Sequence, residues 1–527
     1  MFKKLLFAAL FISVQFAHAK TDKTNTAKPT GVVVETTYGR LQGTTEHGTY
    51  CWKGIAFAKP PVGEWRYTAP QKPDSWDGVK QATEYGSASL QQKSRFTENQ
   101  TKSEDCLYLN VWSPAADNQK RPVMVWIHGG GFVVGSGSSD LYNGANLAKQ
   151  GDVVVVTINY RLGVLGFLYF DESDTLHRGF DNNLGIRDQI AALQWVKENI
   201  AAFGGDPNQV TIFGESAGGT SVETLLACPS AKGLFHKAIA QSGPASMLWQ
   251  PETAKLLTQK FFSLLGLKET EVQKLKNISA DTLKKAEDAL LKYMVFETTH
   301  RVFAPTIDGS FLPNDIFQCL SPKQSGNIPL MIGTNMDEAT MFARKDLRMM
   351  PNNSKDLERD FLHVVKPEQK KKIVAAYKHF PRKRGVLDLL TDAVFRIPAI
   401  RMAECQSMHS PVYMYRFQWS SMMLNITGMR TFHGLELPFV FGNTQQGRTG
   451  KLMRLIATPR TVKLLTKQMQ QSWLNFARYS NPNGATDGSW KPYTAEHRST
   501  MIFDKNAEVI NDPDAQQRKA WVDVKYY

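Results

Sequence analysis

The sequence of 527 residues has few cysteines, no metal-binding motif and no long apolar run after its first nineteen residues. The five cysteines are Cys51, Cys106, Cys228, Cys319 and Cys405. They form no CxxC pair and no Cys/His cluster, which argues against the common structural zinc sites. We expect neither a metal nor an organic cofactor. An odd number of cysteines leaves at least one thiol free or paired between chains.

The first nineteen residues have the pattern of a signal peptide. Lys3 and Lys4 precede an apolar run from Leu5 to Phe16, and the small residues Ala17 and Ala19 stand two apart. This predicts cleavage after Ala19, and the apolar run is short for a membrane span. An uncleaved anchor is the alternative. We therefore expect an exported chain, periplasmic or secreted, from a bacterial host.

The rest of the chain is predicted to consist of a short tail and one large domain. Residues 20–30 are polar and rich in threonine and lysine, which predicts a flexible tail. Residues 31–527 contain no repeat, no low-complexity linker and no compositional break. Length alone would suggest three domains, but that is only a prior. A single large domain over residues 31–527 fits better.

Positive charge dominates, with a formal net charge of +14. Part of the excess lies in the runs 370–372 and 382–384. A nucleic-acid-binding protein would carry such charge on a recognition module, and none is found, so we expect no nucleic-acid partner. Solvated surface is the simplest interpretation, and weak attraction to an anionic membrane surface is the alternative. The oligomeric state is left open.

One stretch organises the chain, VTIFGESAGG from Val210 to Gly219. Its apolar start, Val210–Phe213, predicts a buried strand, and a helix is expected from Gly219 onward. Between them lies the pattern G-x-S-x-G, centred on Ser216. A strand, a tight turn and a helix lift a serine hydroxyl clear of a sheet edge, and glycines allow the close approach of the two backbones.

Apolar strands alternate with helices around this motif. Continuous apolar runs at Val123–Ile127 and Val153–Ile158 predict buried strands of a parallel sheet. Asp188–Phe203 predicts a helix between them and the serine strand. Further strands are predicted at 329–333 and 412–417, helices over 251–293, 355–410 and 461–480, and a small N-terminal β-sheet at 31–42 and 50–58. The fold class is therefore α/β, with a large, mostly parallel central sheet flanked by helices.

A serine nucleophile needs a base and an orienting acid, which follow it in the order serine, acid, histidine in α/β-hydrolases. His433 lies in a loop before an apolar run, whereas most other downstream histidines lie in charged or helical surroundings. Asp337 and Glu338 both follow the strand predicted at 329–333. The residues alone leave the choice between these two carboxylates open.

The motifs HGGGF at 128–132, SEDCLYLN at 103–110, FGGDP at 203–207, GESAGG at 214–219 and HGLELPFVFG at 433–442 stand in a fixed order. Together they resemble the type-B carboxylesterase and cholinesterase family from about residue 31 to about residue 500. The resemblance implies an α/β-hydrolase fold with its active site at the bottom of a gorge. It selects His433 as the base and Glu338 as the acid beside the nucleophile Ser216.

The tetrahedral intermediate needs hydrogen-bond donors aimed at its oxyanion. Gly130 and Gly131 present consecutive backbone N–H groups without side chains in the way, and Ala217 supplies a third. These three residues are the predicted oxyanion hole.

Other roles rest on the resemblance. Phe132 and Trp249 match family positions that wall the acyl pocket, Phe342 and Glu215 are further pocket candidates, and Ser242 resembles a serine that supports the triad. The pairs Arg66–Glu104 and Arg161–Asp188 resemble structural ion pairs of the family.

Two departures from the family pattern matter. The cysteine that usually pairs with the equivalent of Cys106 is missing from the segment 85–92, so Cys106 is either free or paired with Cys51. The tryptophan that binds quaternary ammonium in cholinesterases would fall near Phe96 or Thr97, and none stands there. A cation–π site for choline is therefore not expected.

We predict a serine hydrolase that cleaves small-molecule carboxylic esters through an acyl-enzyme. A peptidase or amidase with the same triad would be distinguished by activity on anilides. A lipase would show a jump in rate above the micellar concentration of its substrate. A non-catalytic binding protein on this fold would lack a member of the triad.

Overall fold

The computed structural model describes residues 31–92, 94, 97, 100–171, 175–244, 246, 248–297, 303–313, 316–317, 327–343, 349–445, 447–484 and 490–524. The predicted signal peptide 1–19, the predicted tail 20–30, Phe96 and Cys319 lie outside the described residues. Contacts group Gly31–Tyr527 into one compact unit.

Extended segments follow one another along the chain and are numbered in that order. The strands are β1 Val33–Thr36, β2 Gly39–Gln42, β3 Thr44–Glu46, β4 Thr49–Ala56, β5 Val79–Gln81, β6 Ala88–Ser89, β7 Lys102–Ser103, β8 Tyr108–Ser113, β9 Arg121–Ile127, β10 Val154–Ile158, β11 Gly205–Glu215, β12 Lys237–Gln241, β13 Leu330–Asn335, β14 Val412–Phe417, β15 Ser499–Phe503 and β16 Glu508–Asn511.

Helices occupy most of the connections between the strands. The helices are α1 Ala145–Gly151, α2 Gly163–Phe167, α3 Leu184–Asn199, α4 Ala217–Ala227, α5 Pro251–Leu265, α6 Ala280–Glu297, α7 Ala339–Phe342, α8 Ser354–Asp360, α9 Pro367–Ala375, α10 Lys383–Thr391, α11 Ile397–Ser407, α12 Met422–Thr427, α13 Leu437–Phe441, α14 Gly447–Ile456, α15 Pro459–Tyr479 and α16 Ala515–Ala520. A π-helical turn at Asp392–Arg396 joins α10 to α11.

The central sheet has eleven strands in the order β16-β15-β14-β13-β12-β11-β9-β10-β8-β4-β3. Strands β15, β14, β13, β12, β11, β9 and β10 pair in parallel, and the strands at both edges pair antiparallel. The predicted α/β class with a large, mostly parallel central sheet is confirmed.

Alternation along β9 explains the two cores that flank this sheet. Val123, Val125 and Ile127 point into one apolar cluster, while Met124 and Trp126 point into the other. Successive side chains of a strand face opposite sides of its sheet. All five side chains are fully buried, because helices cover both faces. This is why the strand has a continuous apolar sequence.

One predicted strand belongs to a different sheet. The segment 50–58 was expected in a small N-terminal sheet, but β4, Thr49–Ala56, pairs with β8 at the edge of the central sheet. The small sheet consists of β1, β2 and β5. The prediction of a small N-terminal sheet is correct, but the assignment of the segment 50–58 to that sheet is wrong. Which strands pair depends on tertiary packing, and the local sequence pattern does not encode it.

The structure decides between the two alternatives for Cys106. Cys51, Cys106 and Cys228 are free and buried, and Cys405 is disulfide-bonded. The alternative of a Cys51–Cys106 bond is therefore wrong. Burial raises the pKa of the Cys106 thiol to about 12, so this thiol stays protonated and unreactive at neutral pH.

Parallel pairing brings the functional loops to one edge of the sheet. Ile127 lies opposite Gly214, Glu215 opposite Gln241, and Gln241 opposite Gly333. The chain therefore leaves β9, β11, β12 and β13 at the same level and at the same edge. In open α/β sheets this carboxyl edge is where ligands bind.

Candidate active site

The turn between β11 and α4 consists of Ser216 alone. Its φ is 59° and its ψ is −125°, a conformation that L-residues rarely adopt. Such a residue costs of the order of 1–3 kcal/mol and persists only where its surroundings enforce it. Here its N–H donates to the carbonyl of Gln241 at 2.9 Å. A Cβ on Gly218 would stand 2.1 Å from the carbonyl oxygen of Ile127, so this approach of helix and strand requires glycine.

His433 and Glu338 are in direct contact. Nδ1 of His433 lies 2.6 Å from Oε2 of Glu338, and both side chains are buried. The other carboxylate oxygen, Oε1, accepts hydrogen bonds from the Ser242 hydroxyl and from the Asn335 N–H, each at 2.6 Å. The carboxylate is therefore held from three sides, and the imidazole is left with Nε2 directed away from it.

A second carboxylate lies near the other ring nitrogen. Nε2 of His433 is 3.0 Å from Oε1 of Glu215, although the two atoms are not aligned as a hydrogen bond within the described structure. Burial lowers the pKa of His433, but the charges of Glu215 and Glu338 outweigh burial and raise the pKa to about 9. Burial raises the pKa of Glu215 to about 8. The two groups therefore compete for protons between about pH 8 and pH 9.

A third buried carboxylate supports this pair. Glu436 accepts hydrogen bonds from Asn335 Nδ2 at 2.7 Å and from Gln241 Nε2 at 3.0 Å. Burial raises the pKa of Glu436. Gln241 in turn accepts a hydrogen bond from the Trp473 indole at 2.9 Å. Sequence reasoning missed Glu436 as a site residue, although it stands within the HGLELPFVFG motif.

The glycine loop after β9 lies directly against the serine turn. A Cβ on Gly129 would stand 3.0 Å from Cβ of Ser216. Gly130 and Gly131 have φ values of 120° and 63°, and the Gly130 carbonyl accepts hydrogen bonds from the N–H groups of Val133 and Val134 at 3.1 Å each. The loop is thus a fixed turn, and helix α4 begins at Ala217 beside it.

The side chain of His128 packs against this loop. It stacks on Tyr160 with ring centroids 4.4 Å apart, and its Nδ1 lies 2.8 Å from the carbonyl of Gly129. The Tyr160 hydroxyl donates to the carbonyl of His128 at 2.7 Å. Burial lowers the pKa of His128 to about 4, so its ring is neutral and Nδ1–H donates to Gly129.

Two phenylalanines flank the imidazole of His433. Phe342 and Phe395 have ring centroids 4.9 Å and 5.0 Å from it, and stack on each other at 6.0 Å. Phe342 was predicted in the pocket. Phe395 was missed, because it lies in the π-helical turn, far from any motif. π-turns often occur at functional sites.

The other predicted pocket residues lie in apolar packing. Trp249 is buried against Phe303, with centroids 5.6 Å apart. Phe132 is buried against Phe167 at 4.6 Å and has a φ of 58°. Neither makes a contact with Ser216 or His433 among the interactions of the described residues, and their place in the pocket stays a prediction.

Asp337 does not contact His433. Its carboxylate accepts a hydrogen bond from Arg384 Nη1 at 2.5 Å, and Arg384 also pairs with Asp388. The other Asp337 oxygen accepts from the N–H of Thr431 at 3.4 Å, and the N–H of Asp337 donates to the Thr431 carbonyl at 3.1 Å. Thr431 stands two residues before His433, so Asp337 fixes the loop that carries the imidazole.

The two expected ion pairs are present and buried. Arg66 meets Glu104 at 2.6 Å and Arg161 meets Asp188 at 2.7 Å. Each is bidentate, since a second guanidinium nitrogen contacts the other carboxylate oxygen. Within the described ranges, no cluster of three or more His, Cys, Asp or Glu side chains is arranged to hold a metal ion.

The sequence is similar to known proteins over most of its length. The model of the carboxylesterase family matches residues 30–521. A para-nitrobenzyl esterase of Bacillus subtilis is 42% identical over 497 residues, covering 92% of this chain and 98% of that protein. A medium-chain fatty acyl-CoA hydrolase precursor of Anas platyrhynchos is 35% identical, covering 89% and 88%.

Solved structures agree with this. A PNB esterase structure superimposes with a TM-score of 0.82 at 40% identity, covering 93% of this chain and 99% of that one. A carboxylesterase of Geobacillus stearothermophilus does so with a TM-score of 0.83 at 40% identity and the same coverage.

Proposed function

The chain belongs to the carboxylesterase family, and from this membership we propose that Ser216, His433 and Glu338 are its catalytic triad. The protein is a serine hydrolase that cleaves carboxylic esters of small molecules. The observation that carries the proposal is the 2.6 Å contact between His433 Nδ1 and a Glu338 carboxylate that two further donors hold in place.

In acylation, the Ser216 hydroxyl attacks the ester carbonyl while Nε2 of His433 takes its proton. The contact with Glu338 keeps the hydrogen on Nδ1, so that Nε2 has the free lone pair that a base needs, and it stabilises the imidazolium that forms. His433 then returns the proton to the leaving alcohol. The buried site makes the interaction between carboxylate and imidazolium stronger than it is in water.

The negative charge on the former carbonyl oxygen requires donors that are already in place. We propose that the backbone N–H groups of Gly130, Gly131 and Ala217 supply them. Support comes from the fixed glycine turn against Ser216 and from the start of α4 at Ala217, where N–H groups lack helical partners. Removal of one such donor in a serine hydrolase costs about 100-fold to 1,000-fold in kcat.

Deacylation repeats these steps with water in place of Ser216. His433 removes a proton from water, the hydroxide attacks the acyl-enzyme, and the oxyanion forms at the same three donors. The proton then passes to the Ser216 oxygen as the carboxylic acid leaves. The pocket contribution of Phe342, Phe132, Trp249 and Glu215 is proposed on the same basis.

The test is hydrolysis of p-nitrophenyl esters of graded acyl length by the purified protein and by Ser216→Ala. We expect activity in the wild type and a loss of at least about 10,000-fold in kcat for the variant, as for other removed nucleophiles. The exposed Ser230 offers a matched control, since Ser230→Ala should keep full activity. Activity retained in Ser216→Ala would contradict the triad.

We further propose that residues 1–19 direct export and that the mature protein starts at Lys20, in the periplasm or outside the cell. Support comes from the sequence pattern of the leader. Expression of the full chain in a bacterium followed by N-terminal sequencing of the periplasmic and secreted protein tests this. Recovery of the uncleaved chain in the cytosol alone would contradict it. The net positive charge supports the proposal of weak attraction to anionic membrane surfaces.

A further inference from the structure

Charge is strongly segregated in one part of the sequence. Between Met408 and Gly484 there are nine lysine or arginine residues and a single acidic residue, Glu436. Glu436 is fully buried in the candidate active site. Arg416 is buried and pairs with Asp514, whereas Lys451, Arg460, Lys463 and Lys467 are exposed and have no exposed acidic residue in the same segment.

The same segment exposes large apolar side chains on two helices. On α12, Met422 and Ile426 are 79% and 68% exposed, and their spacing of four residues puts them on one helix face. On α14, Leu452 and Leu455 are 40% and 52% exposed at a spacing of three. Helices α12 and α14 pack against each other. We call these four side chains the apolar face.

Basic side chains lie next to this face along the chain. Lys451 precedes Leu452 on α14, and Arg460, Lys463 and Lys467 follow on the first turns of α15 at a helical spacing. All four are exposed, and within the described part of the chain none of them forms an ion pair. We call these four the basic rim. Elsewhere on the surface, by contrast, Lys274, Lys284 and Lys370 are paired with carboxylates.

An apolar face bordered by unpaired cations is complementary to one kind of surface. Long basic side chains reach anionic head groups while neighbouring apolar groups enter the acyl boundary. Each basic residue near an anionic bilayer contributes roughly 1 kcal/mol, or about fivefold in partitioning. We propose that the apolar face and the basic rim dock this protein onto anionic lipid bilayers.

The position of the face gives the docking a consequence for the reaction. Helix α12 ends at Thr427, and the carbonyl of Met429 accepts a hydrogen bond at 2.7 Å from the hydroxyl of Thr340, which lies in helix α7 directly after Glu338. The loop then continues to His433. A bilayer docked on this face contacts α12, whose last residue, Thr427, lies six positions before His433. Binding itself does not depend on the catalytic proposal.

The experiment is sedimentation of the mature protein with vesicles of phosphatidylcholine alone and of phosphatidylcholine with phosphatidylglycerol. We expect binding to the anionic vesicles that weakens as salt is raised, and little binding to the neutral ones. Met422→Ser with Ile426→Ser should lower anionic-vesicle partitioning at least tenfold. Lys451→Glu with Lys463→Glu should lower it by at least about 25-fold, since each removed charge is worth about fivefold.

Matched control variants distinguish binding through this particular face from binding that depends only on the net charge or overall hydrophobicity of the protein. Leu256→Ser with Val364→Ser removes exposed apolar side chains outside this segment, at 66% and 72% exposure. Lys371→Glu with Lys372→Glu makes the same change in net charge on α9. Both controls should bind anionic vesicles within about twofold of the wild type. Equal losses in the control and face variants would overturn the proposal, as would absence of anionic-vesicle binding at low salt.

Two further readouts complete the test. Hydrolysis of a soluble p-nitrophenyl ester should be unchanged in all four double variants, so that a loss of vesicle binding is not a loss of folding. Sedimentation equilibrium should show the same mass for wild type and face variants. If the wild type were a dimer that the face variants dissociate, the face would belong to a second copy of the chain, and the lipid proposal would be wrong.

Discussion

Replacement of Glu215 by glutamine probes the electrostatics of the site most directly. Its Oε1 lies 3.0 Å from Nε2 of His433, and the pKa of His433 is raised from 6.5 to about 9 although burial alone would lower it. At about 1.4 kcal/mol per pH unit, this rise corresponds to a net stabilisation of the imidazolium of about 3 kcal/mol, after the opposing effect of burial. Glu215 and Glu338 share most of it, and the charge of Glu215 is the largest single favourable contribution.

Glutamine keeps the size of the side chain and removes its charge. The pKa of His433 in Glu215→Gln should therefore fall by about one pH unit or more. Since the base must be neutral to accept the serine proton, the acidic limb of kcat/KM should move to lower pH by the same amount. The assay is hydrolysis of a soluble p-nitrophenyl ester from pH 5 to 10.

Glu223→Gln is the matched control for this experiment. Glu223 is also a fully buried carboxylate, but burial alone raises its pKa and no charged neighbour contributes. Its replacement should leave the acidic limb in place. An unchanged limb in Glu215→Gln, or a limb displaced to higher pH, would refute the reasoning that Glu215 stabilises the imidazolium.

Three further predictions concern stability and positioning. The folded protein holds a proton on Glu223 that the unfolded chain releases above pH 4.5, so this carboxyl lowers stability increasingly as pH rises. Glu223→Gln should therefore stabilise the protein more at pH 8 than at pH 5, by up to about 1.4 kcal/mol per pH unit, and urea unfolding giving equal differences would contradict this. Arg384→Met leaves Asp337 without its ion pair, and should lower kcat about tenfold with little change in KM, since the His433 loop loses a restraint. Arg384→Lys should restore most of kcat, and an effect on KM alone would point to another role. Ser242→Ala removes one of the two donors to Glu338 Oε1 and should cost about 1–2 kcal/mol in kcat/KM, measured with the same ester.

Local pattern predicted much of this architecture. The strand at 412–417 has the predicted bounds, and the strands around Val123–Ile127 and Val210–Phe213 extend beyond the predicted ones by a few residues. A fully buried parallel strand leaves a continuous apolar signature, because both of its faces are covered. Motifs similarly indicated Ser216 and His433, whose sequence surroundings are distinctive.

Contacts between residues that are distant in the sequence could not be predicted from it. Strand β4 joins the central sheet because it pairs with β8, which lies more than 50 residues later in the sequence. The residues of β4 alone do not indicate which strand will be its partner. Phe395 reaches His433 through a π-helical turn that no periodicity indicates. Arg384 meets Asp337 across 47 positions of sequence. These contacts are made only when distant elements fold together, so their residues carry no local signal.

Charge segregation was visible in the sequence but its meaning was not. The net charge favoured solvated surface and left weak attraction to membranes as the alternative, without a location. The lack of acidic residues other than Glu436 between Met408 and Gly484 became informative once α12 and α14 were seen to expose apolar side chains on adjacent helices. A basic composition on fully polar helices would have indicated only solvated surface.

Covalent trapping of the nucleophile tests directly whether Ser216 is the catalytic serine. The protein is treated with a p-nitrophenyl alkylphosphonate ester, whose phosphorus is attacked by the serine oxygen as p-nitrophenolate leaves. Peptide mass spectrometry then locates the adduct. We predict one adduct per chain, on Ser216, formed at the same rate as p-nitrophenolate release and greatly slowed in His433→Ala. Release of p-nitrophenolate with an unmodified Ser216, or an adduct on another residue, would contradict it.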